Sequence, residues 1–210
     1  MENYLEQPLS AYLADAAAKK PTPGGGSVAA LAGALATTMA SMAANFTAGK
    51  EQFRGVESQI QTDLRLLEEA RRKFLDLMHR DMEAYATVMA AYRLPKASDA
   101  ERAAREAAIQ DALAKSMLVP LKSTKVALQV LEVTADLANI ASPNLLSDVA
   151  VAAILAEAAF LASRVNVEVN LKGLSDRKLA EATGRDLDDD QARAARLKDD
   201  CLRAVKARSG

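Results

Sequence analysis

The segment PTPGGGSVAALAGALATTMASMAANFTAGK, residues 21–50, decides the fold. Its prolines end a preceding helix, because proline lacks the backbone N–H and clashes with the previous turn. A long run without a charged residue follows the three glycines, and Gly49 stands where a helix C-terminus favours glycine. The pattern predicts a helix that begins near residues 24–27 and runs to about Ala48.

Three other interpretations of this segment fit the chain less well. A flexible linker would not lead at once into a strongly helical run. A phosphate-binding loop needs a Gly-Lys-Ser/Thr signature after a strand, and residues 21–27 have neither. A membrane span would be long enough at residues 28–49, but the Ala, Thr, Ser and Gly content makes transfer into lipid weak. The segment is therefore predicted to be a buried helix.

Small residues recur every four positions on this helix: Ala29, Gly33, Thr37 and Ser41. They share one face, so a second helix can approach closely there. The glycines at 24–26 leave the first-turn N–H groups uncovered, and those groups with the helix dipole suit a negative or carbonyl-bearing ligand. The alternative is that these glycines form only a tight turn.

The composition is that of one globular domain covering residues 1–210. Half of the 210 residues are hydrophobic, 26% are charged and the net charge is −1, which gives no reason to expect nucleic acid or an anionic membrane as partner. The single cysteine, Cys201, excludes an internal disulfide and predicts a reducing, cytoplasmic location. The acidic start, MENYLEQPL, does not match a signal peptide.

The remaining chain also has helical periodicity, and we expect an all-α fold: an up-and-down bundle of about six long helices. Ser98 and Ser142-Pro143 are helix-start signals, and Pro120 is expected to break or kink the fourth helix. VNVEVNL, residues 165–171, alternates like a strand but continues a helical segment. The predicted helices are 9–19, 24–48, 51–93, 99–139, 144–171 and 175–206.

Two carboxylates stand out by their surroundings. Asp148 lies in the nearly uncharged fifth helix, where an ionised carboxylate must be paired, face a cavity or change its pKa. The alternative is that it only favours the helix dipole in the first turn. Asp81 shares a face with Tyr85 among the apolar side chains of the third helix.

Metal and thiol chemistry are not indicated. The single histidine, His79, and Cys201 are far apart in the chain, so neither a zinc site nor a Cys-His pair is predicted. The Glu-x-x-His motif of di-iron bundles is also absent from the sequence. We therefore predict no metal site, and a solvent-exposed His79.

Three motifs together resemble one family. They are PTPGGGS opening the Ala-rich helix, DMEAYATVMAAYRLPK at 81–96, and SPNLLSDVAVAAILAEAAFLASRVNVEVNLKGLSD at 142–176. The chain resembles the formiminotetrahydrofolate cyclodeaminase / methenyltetrahydrofolate cyclohydrolase family over about residues 5–205. The resemblance implies an all-helical homodimer that acts on one-carbon forms of tetrahydrofolate. Some members are fused to a formiminotransferase half, for which this chain has no room, so it implies the stand-alone type.

The resemblance implies hydrolysis of 5,10-methenyltetrahydrofolate as the activity, with no cofactor besides the folate substrate. That reaction needs a proton acceptor and donor near the bridging carbon. Our hypothesis assigns these roles to Asp81 and Asp148, with Tyr85 and Lys96 as supporting donors. The residues expected to hold the pterin or carbonyl groups are Pro23, Gly24, Gly25, Gly26, Ser27, Asn144, Ser147, Asn166 and Asn170. Two alternatives remain: a formiminotetrahydrofolate cyclodeaminase that releases ammonia, and a non-catalytic folate-binding or scaffold dimer.

Overall fold

Six α-helices make up most of the computed structural model, which describes residues 3–209. Short 3₁₀ segments lie at Tyr4–Glu6, Glu51–Val56 and Pro143–Leu145, and the described part of the chain contains no strand. The expectation of an all-α fold with about six helices is confirmed. The helices are α1 Leu9–Ala17, α2 Gly25–Thr47, α3 Glu57–Tyr92, α4 Asp99–Ile140, α5 Leu146–Gly173 and α6 Arg177–Arg208.

Helices α2 to α5 form the core of the bundle, and successive helices run antiparallel. Gly26 near the start of α2 meets Asp81 late in α3, whereas Gly33, further along α2, meets the earlier Phe74. Similarly, Gly173 at the end of α5 packs against Leu113 in the first half of α4. Helix α6 covers α4 and α5 from outside. The start of α2 and the end of α5 therefore lie at the same end of the bundle.

The small-residue face of α2 is where α3 approaches. A Cβ atom at Gly33 would overlap the ring of Phe74, which is fully buried. Ala29 and Thr37, on the same side of α2, are also buried. The predicted buried helix is confirmed, and its small residues allow close packing between α2 and α3 within one chain.

Three details of the predicted helices differ in the structure. Of the break or kink expected at Pro120, no break occurs, and Pro120 lies inside a continuous α4 although its ring removes one backbone hydrogen bond from the helix. The third helix begins at Glu57, because Glu51–Val56, which includes Gly55, forms a 3₁₀ turn. Ser142 does not cap α5 with its side chain; instead its backbone N–H donates to Thr47 Oγ1 at 2.9 Å, and α5 begins after a 3₁₀ turn. By contrast, Ser98 caps α4 as expected, and together with Glu101 it forms a capping box.

Two stretches of the bundle are long and apolar enough to cross a membrane by length and composition alone: Gly25–Thr47 and Pro143–Gly173. In this fold the two helices pack against each other, 56% and 44% of their most apolar windows are buried inside the chain, and each keeps one exposed side. A helix that is apolar on nearly all sides is typical of a bundle core as well as of a membrane span.

Candidate functional site

A cavity of about 470 Å³ lies at the end of the bundle where α2 begins, between α3, α4 and the last turns of α5. Its polar lining comes from Asp81, Tyr85, Ser116, Asn166 and Asn170, together with the three glycines at 24–26. Apolar side chains of α3 and α4 form the opposite wall. Asp81 is the only charged residue that lines the cavity within the described chain. A cavity of this size, mostly apolar with a few convergent polar groups, is typical of a small-molecule site.

Asp81, which lies on α3, caps the N-terminus of α2 with its carboxylate. Its Oδ2 accepts a hydrogen bond of 2.9 Å from the backbone N–H of Ser27, and Gly24 at the N-cap provides no side-chain bond of its own. Burial raises the pKa of Asp81, while the Ser27 hydrogen bond opposes that shift. A carboxylate held near a helix N-terminus and partly withdrawn from water is suited to accept and return a proton.

Gly26 is required for this arrangement. A Cβ atom at Gly26 would overlap the carboxylate of Asp81. At Gly25 the same atom would lie 3.5 Å from the Asn166 side chain, which is ordinary contact, and at Gly24 it would meet nothing within 4 Å. Of the three consecutive glycines, Gly26 is therefore the one whose missing side chain makes room for the carboxylate.

Asn166 and Asn170 present their amide oxygens as free acceptors. Asn166 Nδ2 donates to the carbonyl of Ala162 at 2.8 Å, and Asn170 Nδ2 donates to the carbonyl of Asn166 at 2.9 Å. Neither side-chain oxygen accepts a hydrogen bond from any residue in 3–209. Both amides line the cavity, so the structure brings them together with Asp81, Tyr85 and the glycines as the sequence predicts.

Tyr12 belongs to the site although sequence reasoning did not identify it. Its hydroxyl lies 3.0 Å from Ser27 Oγ, and both side chains are buried. Burial raises the pKa of Tyr12, and the nearby charge of Asp81 adds to this shift. Tyr12, Ser27 and Asp81 thus form a continuous polar path from α1 to the cavity. The positions of Tyr12, Ser27 and Asp81 in the sequence do not indicate this path, because only the fold brings α1 and α3 together.

Ser27 was expected to contact the ligand directly, but it lies behind the cavity lining. Its N–H donates to Asp81, its hydroxyl is buried against that of Tyr12, and Ser27 does not line the cavity. Pro23 is buried beside the cavity, after a cis peptide bond from Thr22. A second missed residue, Ser116, lines the cavity four positions before Pro120, whose missing N–H leaves the Ser116 carbonyl without its usual helical donor.

The other predicted residues lie outside this cavity. Asn144, Ser147 and Asp148 are at the opposite end of α5, and about 18 residues of helix, roughly 27 Å, separate Asp148 from Asn166. Asp148 has no hydrogen bond or ion pair with another described residue. Lys96 is exposed in the connection between α3 and α4 and does not line the cavity. One chain therefore does not bring Asp148 to Asp81.

A larger groove of about 580 Å³ lies on the outer side of α3 and α4, lined by Lys73, Arg80, Lys122 and Lys125. It contains none of the predicted site residues. Most of its cations are already paired with carboxylates, as Arg80 is with Asp76 at 2.6 Å. Such exposed pairs are typical of a solvated helix surface.

Metal ligands are not clustered in the part of the chain that is described: residues 3–209 contain no group of three or more His, Cys, Asp or Glu that could hold an ion. Cys201 is buried in the core, donates to the carbonyl of Thr134, and has a pKa raised by burial to about 11. It lies on α6, away from the cavity lining.

Comparisons with known proteins match this chain over most of its length. The family model described as formiminotransferase-cyclodeaminase matches residues 8–189. The methenyltetrahydrofolate cyclohydrolase of Methylorubrum extorquens is 37% identical, over 95% of this chain and 96% of its own length. The formimidoyltransferase-cyclodeaminase of Rattus norvegicus is 32% identical over 87% of this chain, which spans only 34% of that relative. The crystal structure of a formiminotetrahydrofolate cyclodeaminase from Thermotoga maritima matches with a TM-score of 0.87 and 32% identity, covering 97% of this chain and 98% of the other.

Proposed function

The chain belongs to the formiminotransferase-cyclodeaminase family, and on that premise we propose that it hydrolyses 5,10-methenyltetrahydrofolate to 10-formyltetrahydrofolate. The Methylorubrum relative named for this activity matches over nearly the full length of both chains. The relatives are enzymes of folate one-carbon metabolism, and this chain is one as well.

The observation that carries the proposal is the charge of the cavity. Asp81 is its only charged lining residue, and no Lys, Arg or His lines it within the described chain. The methenyl bridge of the substrate is a cationic, amidine-like carbon. A single carboxylate in a mostly apolar cavity stabilises such a cation, because charges attract more strongly where water is excluded.

Asp81 can also move the protons of the reaction. Water forms a C–O bond to the bridging carbon while its proton passes to Asp81, which leaves a neutral carbinolamine. The C–N5 bond then breaks as N5 takes the proton back from Asp81, and the remaining hydroxyl proton leaves to solvent as the formyl group forms on N10. The raised pKa of Asp81 brings it closer to the value that suits both transfers.

The remaining polar groups hold the substrate. The free amide oxygens of Asn166 and Asn170 accept hydrogen bonds from the donor edge of a pterin. Tyr85 lines the cavity with its ring 39% exposed, so it is placed to contact a bound ligand. We assign Gly24 and Gly25 to the rim, where the backbone can approach the ligand closely. No cofactor beyond the folate is needed by this chemistry, and the cytoplasmic location stays a prediction.

A second candidate reaction is cyclodeamination of 5-formiminotetrahydrofolate. The Thermotoga maritima structure, named for that activity, matches 97% of this chain. In that reaction N10 attacks the formimino carbon, a C–N bond forms, and ammonia leaves after it receives a proton. Asp81 would take the proton from N10 and return one to the departing nitrogen, so the same cavity suits both reactions.

The two reactions are separated by their products. Purified protein is mixed with methenyltetrahydrofolate, and the decay of its absorbance is compared with the uncatalysed rate in the same buffer. We expect acceleration, with no ammonia released when the formimino substrate is supplied. Ammonia release would favour the cyclodeaminase, whereas saturable binding without acceleration of either reaction would show a non-catalytic folate-binding protein and overturn the proposal.

The enzyme is also proposed to be a homodimer, and the support is an uncharged surface that we call the α2–α5 face. No residue of α2 carries a charge, on its exposed side or elsewhere. The large apolar side chains exposed on α5, which packs against α2, also lie along one side of their helix. The face consists of Val28, Leu35, Met42 and Phe46 on α2 and Val151, Ile154, Leu161, Val165 and Val169 on α5.

The spacing of this face indicates that helices cover it. Its exposed positions on α5, which include Ser147 and Ala158, recur every three or four residues from 147 to 169. Such a 3.5-residue repeat is the pattern of a helix that packs along another helix. A face with nine exposed large apolar side chains is unusual for a monomer. A second copy of the same face fits it, because both faces are apolar and helical.

A further inference from the structure

We infer that α4 contributes a specificity-determining group to the cavity: the backbone carbonyl of Ser116, released by Pro120, accepts a hydrogen bond from N8–H of a reduced pterin ring. This inference rests on the proposed function, because it concerns the ligand of the same cavity. It adds a third acceptor to the amide oxygens of Asn166 and Asn170.

Pro120 removes the normal partner of this carbonyl. In an α-helix the carbonyl of residue 116 accepts from the backbone N–H of residue 120, and proline has none. The proline ring also clashes with the carbonyl four residues earlier and pushes it outward from the helix axis. Helix α4 continues on both sides of Pro120, so the change is confined to this turn.

No side chain of α4 replaces the missing donor. Hydroxyls in this part of the helix do donate to nearby carbonyls, as Thr124 does to Leu121 at 2.8 Å. A side chain could reach the Ser116 carbonyl in this way only from three or four residues later, where Val119 and Pro120 stand. The described residues therefore provide no side-chain donor for it.

The hydroxyl of Ser116 is also unused. The hydroxyl of Thr134, further along α4, donates to the carbonyl of Val130 at 2.6 Å. Ser116 makes no side-chain hydrogen bond to another residue in 3–209, although it is half-buried in the cavity wall. A backbone carbonyl withdrawn from water is satisfied by ordered water or by a ligand, and here only the cavity offers room for either.

Ser116 lies level with Asn170. Gly173 of α5 packs against Leu113 of α4, and the two helices run antiparallel. Ser116 is three residues further along α4, Asn170 is three residues back along α5, and each step covers about 4.5 Å. Both residues line the cavity. The free oxygen of Asn170 and the carbonyl of Ser116 are therefore at the same depth on neighbouring walls.

The unpaired groups that line the cavity suit a ligand rich in donors. The asparagine oxygens and the Ser116 carbonyl only accept hydrogen bonds. A tetrahydropterin has donors at its 2-amino group, at N3 and at N8. With the 2-amino group and N3–H at Asn166 and Asn170, N8–H is the ring donor that is left for Ser116. In a fully oxidised pterin N8 has a lone pair instead, which this carbonyl would repel.

The test restores the missing helical bond. Pro120→Ala supplies an N–H that bonds to the Ser116 carbonyl and draws it away from the ligand. The Kd of tetrahydrofolate, measured by anaerobic calorimetric titration, should rise about 3–10-fold, the usual effect of one hydrogen bond. The KM for methenyltetrahydrofolate should rise similarly with kcat little changed. Alanine favours a helix interior over proline, so Tm should not fall and the weaker binding is not unfolding.

A matched ligand isolates the contact with N8. In 8-deazatetrahydrofolate a CH₂ group replaces N8–H. We expect it to bind the wild-type protein about 3–10-fold more weakly than tetrahydrofolate, and to bind Pro120→Ala with nearly the wild-type Kd. An equal rise in Kd for both ligands in Pro120→Ala, or no rise for tetrahydrofolate, overturns the inference.

Two further variants on α4 serve as controls. Ser116→Ala removes the hydroxyl but keeps the carbonyl, so the preference for N8–H should remain. Its loss in Ser116→Ala together with its survival in Pro120→Ala would assign the contact to the hydroxyl and overturn the inference. Thr124→Ala shortens a buried side chain outside the cavity lining and should leave both Kd values unchanged. The same rise there as in Pro120→Ala would show a packing effect and overturn the inference as well.

The titrations do not depend on turnover, so the two proposals fail separately. A protein that binds tetrahydrofolate with the expected preference for N8–H but accelerates neither reaction would overturn the proposed hydrolysis and support the role of Ser116. Hydrolysis by a wild-type protein that binds tetrahydrofolate and its 8-deaza analogue equally well would overturn this inference alone.

Discussion

Helix α3 contains two carboxylates withdrawn from water, and they differ in what surrounds them. Asp63 is 1% exposed, and its Oδ1 accepts a hydrogen bond of 2.8 Å from Gln59. Its Oδ2 is buried without a partner among the described residues, and Asp63 does not line the cavity that holds Asp81. Asp81 is less buried, accepts from a helix N-terminus and faces an open cavity.

Burial raises the pKa of both groups, so the pKa alone does not separate them. A hydrogen bond opposes the shift in both, from Gln59 for Asp63 and from the Ser27 N–H for Asp81, and the neighbouring Asp136 raises the pKa of Asp63 further. Each carboxylate has one oxygen held by a donor, so what distinguishes Asp81 is the cavity beside it, which gives access to a ligand. A carboxylate whose pKa is raised therefore indicates a functional site only when a cavity lies beside it.

The largest expected effect separates the two carboxylates by activity. Asp81→Asn should lower kcat by about 10²–10⁴-fold, because the amide cannot accept the proton from water. Asp63→Asn should leave kcat within about twofold, since its side chain does not reach the cavity. Steady-state rates with methenyltetrahydrofolate measure both. Equal losses in the two variants would show that the effect is structural.

The next effect tests whether the position of Asp81 is set by the missing Cβ of Gly26. Gly26→Ala should displace the carboxylate and lower kcat/KM by about 10²-fold, the usual cost of a misplacement near 1 Å. The control is Gly184→Ala on α6, outside the cavity lining, where the added atom meets nothing within 4 Å. Similar losses in both variants would indicate that the loss does not come from the overlap with Asp81.

A smaller effect on kcat is expected at Tyr12, which is linked to Asp81 only by way of Ser27. Tyr12→Phe removes one buried hydrogen bond and should lower kcat by about 2–10-fold, with KM little changed. Tyr4→Phe is the matched control, because the Tyr4 hydroxyl donates to Asp15 instead. A rate in Tyr12→Phe equal to that of the control would remove Tyr12 from the path to the cavity.

The smallest effect concerns stability at Asp63. Since burial raises its pKa, the folded chain holds the proton more tightly than the unfolded chain, and this stabilisation is lost as the pH rises through the raised pKa. Asp63→Asn should therefore raise Tm at pH 7 and have less effect near pH 4. A gain of a few degrees is expected, at about 2–4 °C per kcal/mol. Thermal unfolding followed by circular dichroism at both pH values checks it, and a lower Tm at pH 7 would contradict the sign.

Much of the bundle follows from local patterns. The helix of residues 25–47, the capping box at Ser98 and the helical nature of residues 165–171 are set by composition, spacing and capping, which are visible in one sequence. Pro120 was expected to break or kink α4; α4 does not break there, and its packing against α3, α5 and α6 favours continuity over the local signal.

The site could be predicted only in part, because periodicity shows which residues share a helix face but not which faces meet. Gly26 and Asp81 meet because α2 and α3 are antiparallel neighbours, and Asn166 joins them where α5 ends. Tyr12 lies beside Ser27 because of where α1 packs, and no sequence motif indicates that packing. Asp148 shares a sequence motif with the site but lies at the other end of α5, a separation that only the fold reveals.

The central claim is that ionised Asp81 is the base, and the most direct test is the pH dependence of kcat/KM for methenyltetrahydrofolate hydrolysis. Burial raises the pKa of Asp81, so kcat/KM of the wild-type enzyme should fall as the pH is lowered through a value above the ordinary 3.8 of aspartic acid. In Asp81→Asn that acid limb should be absent after subtraction of the uncatalysed rate. The same acid limb in Asp81→Asn would contradict the account.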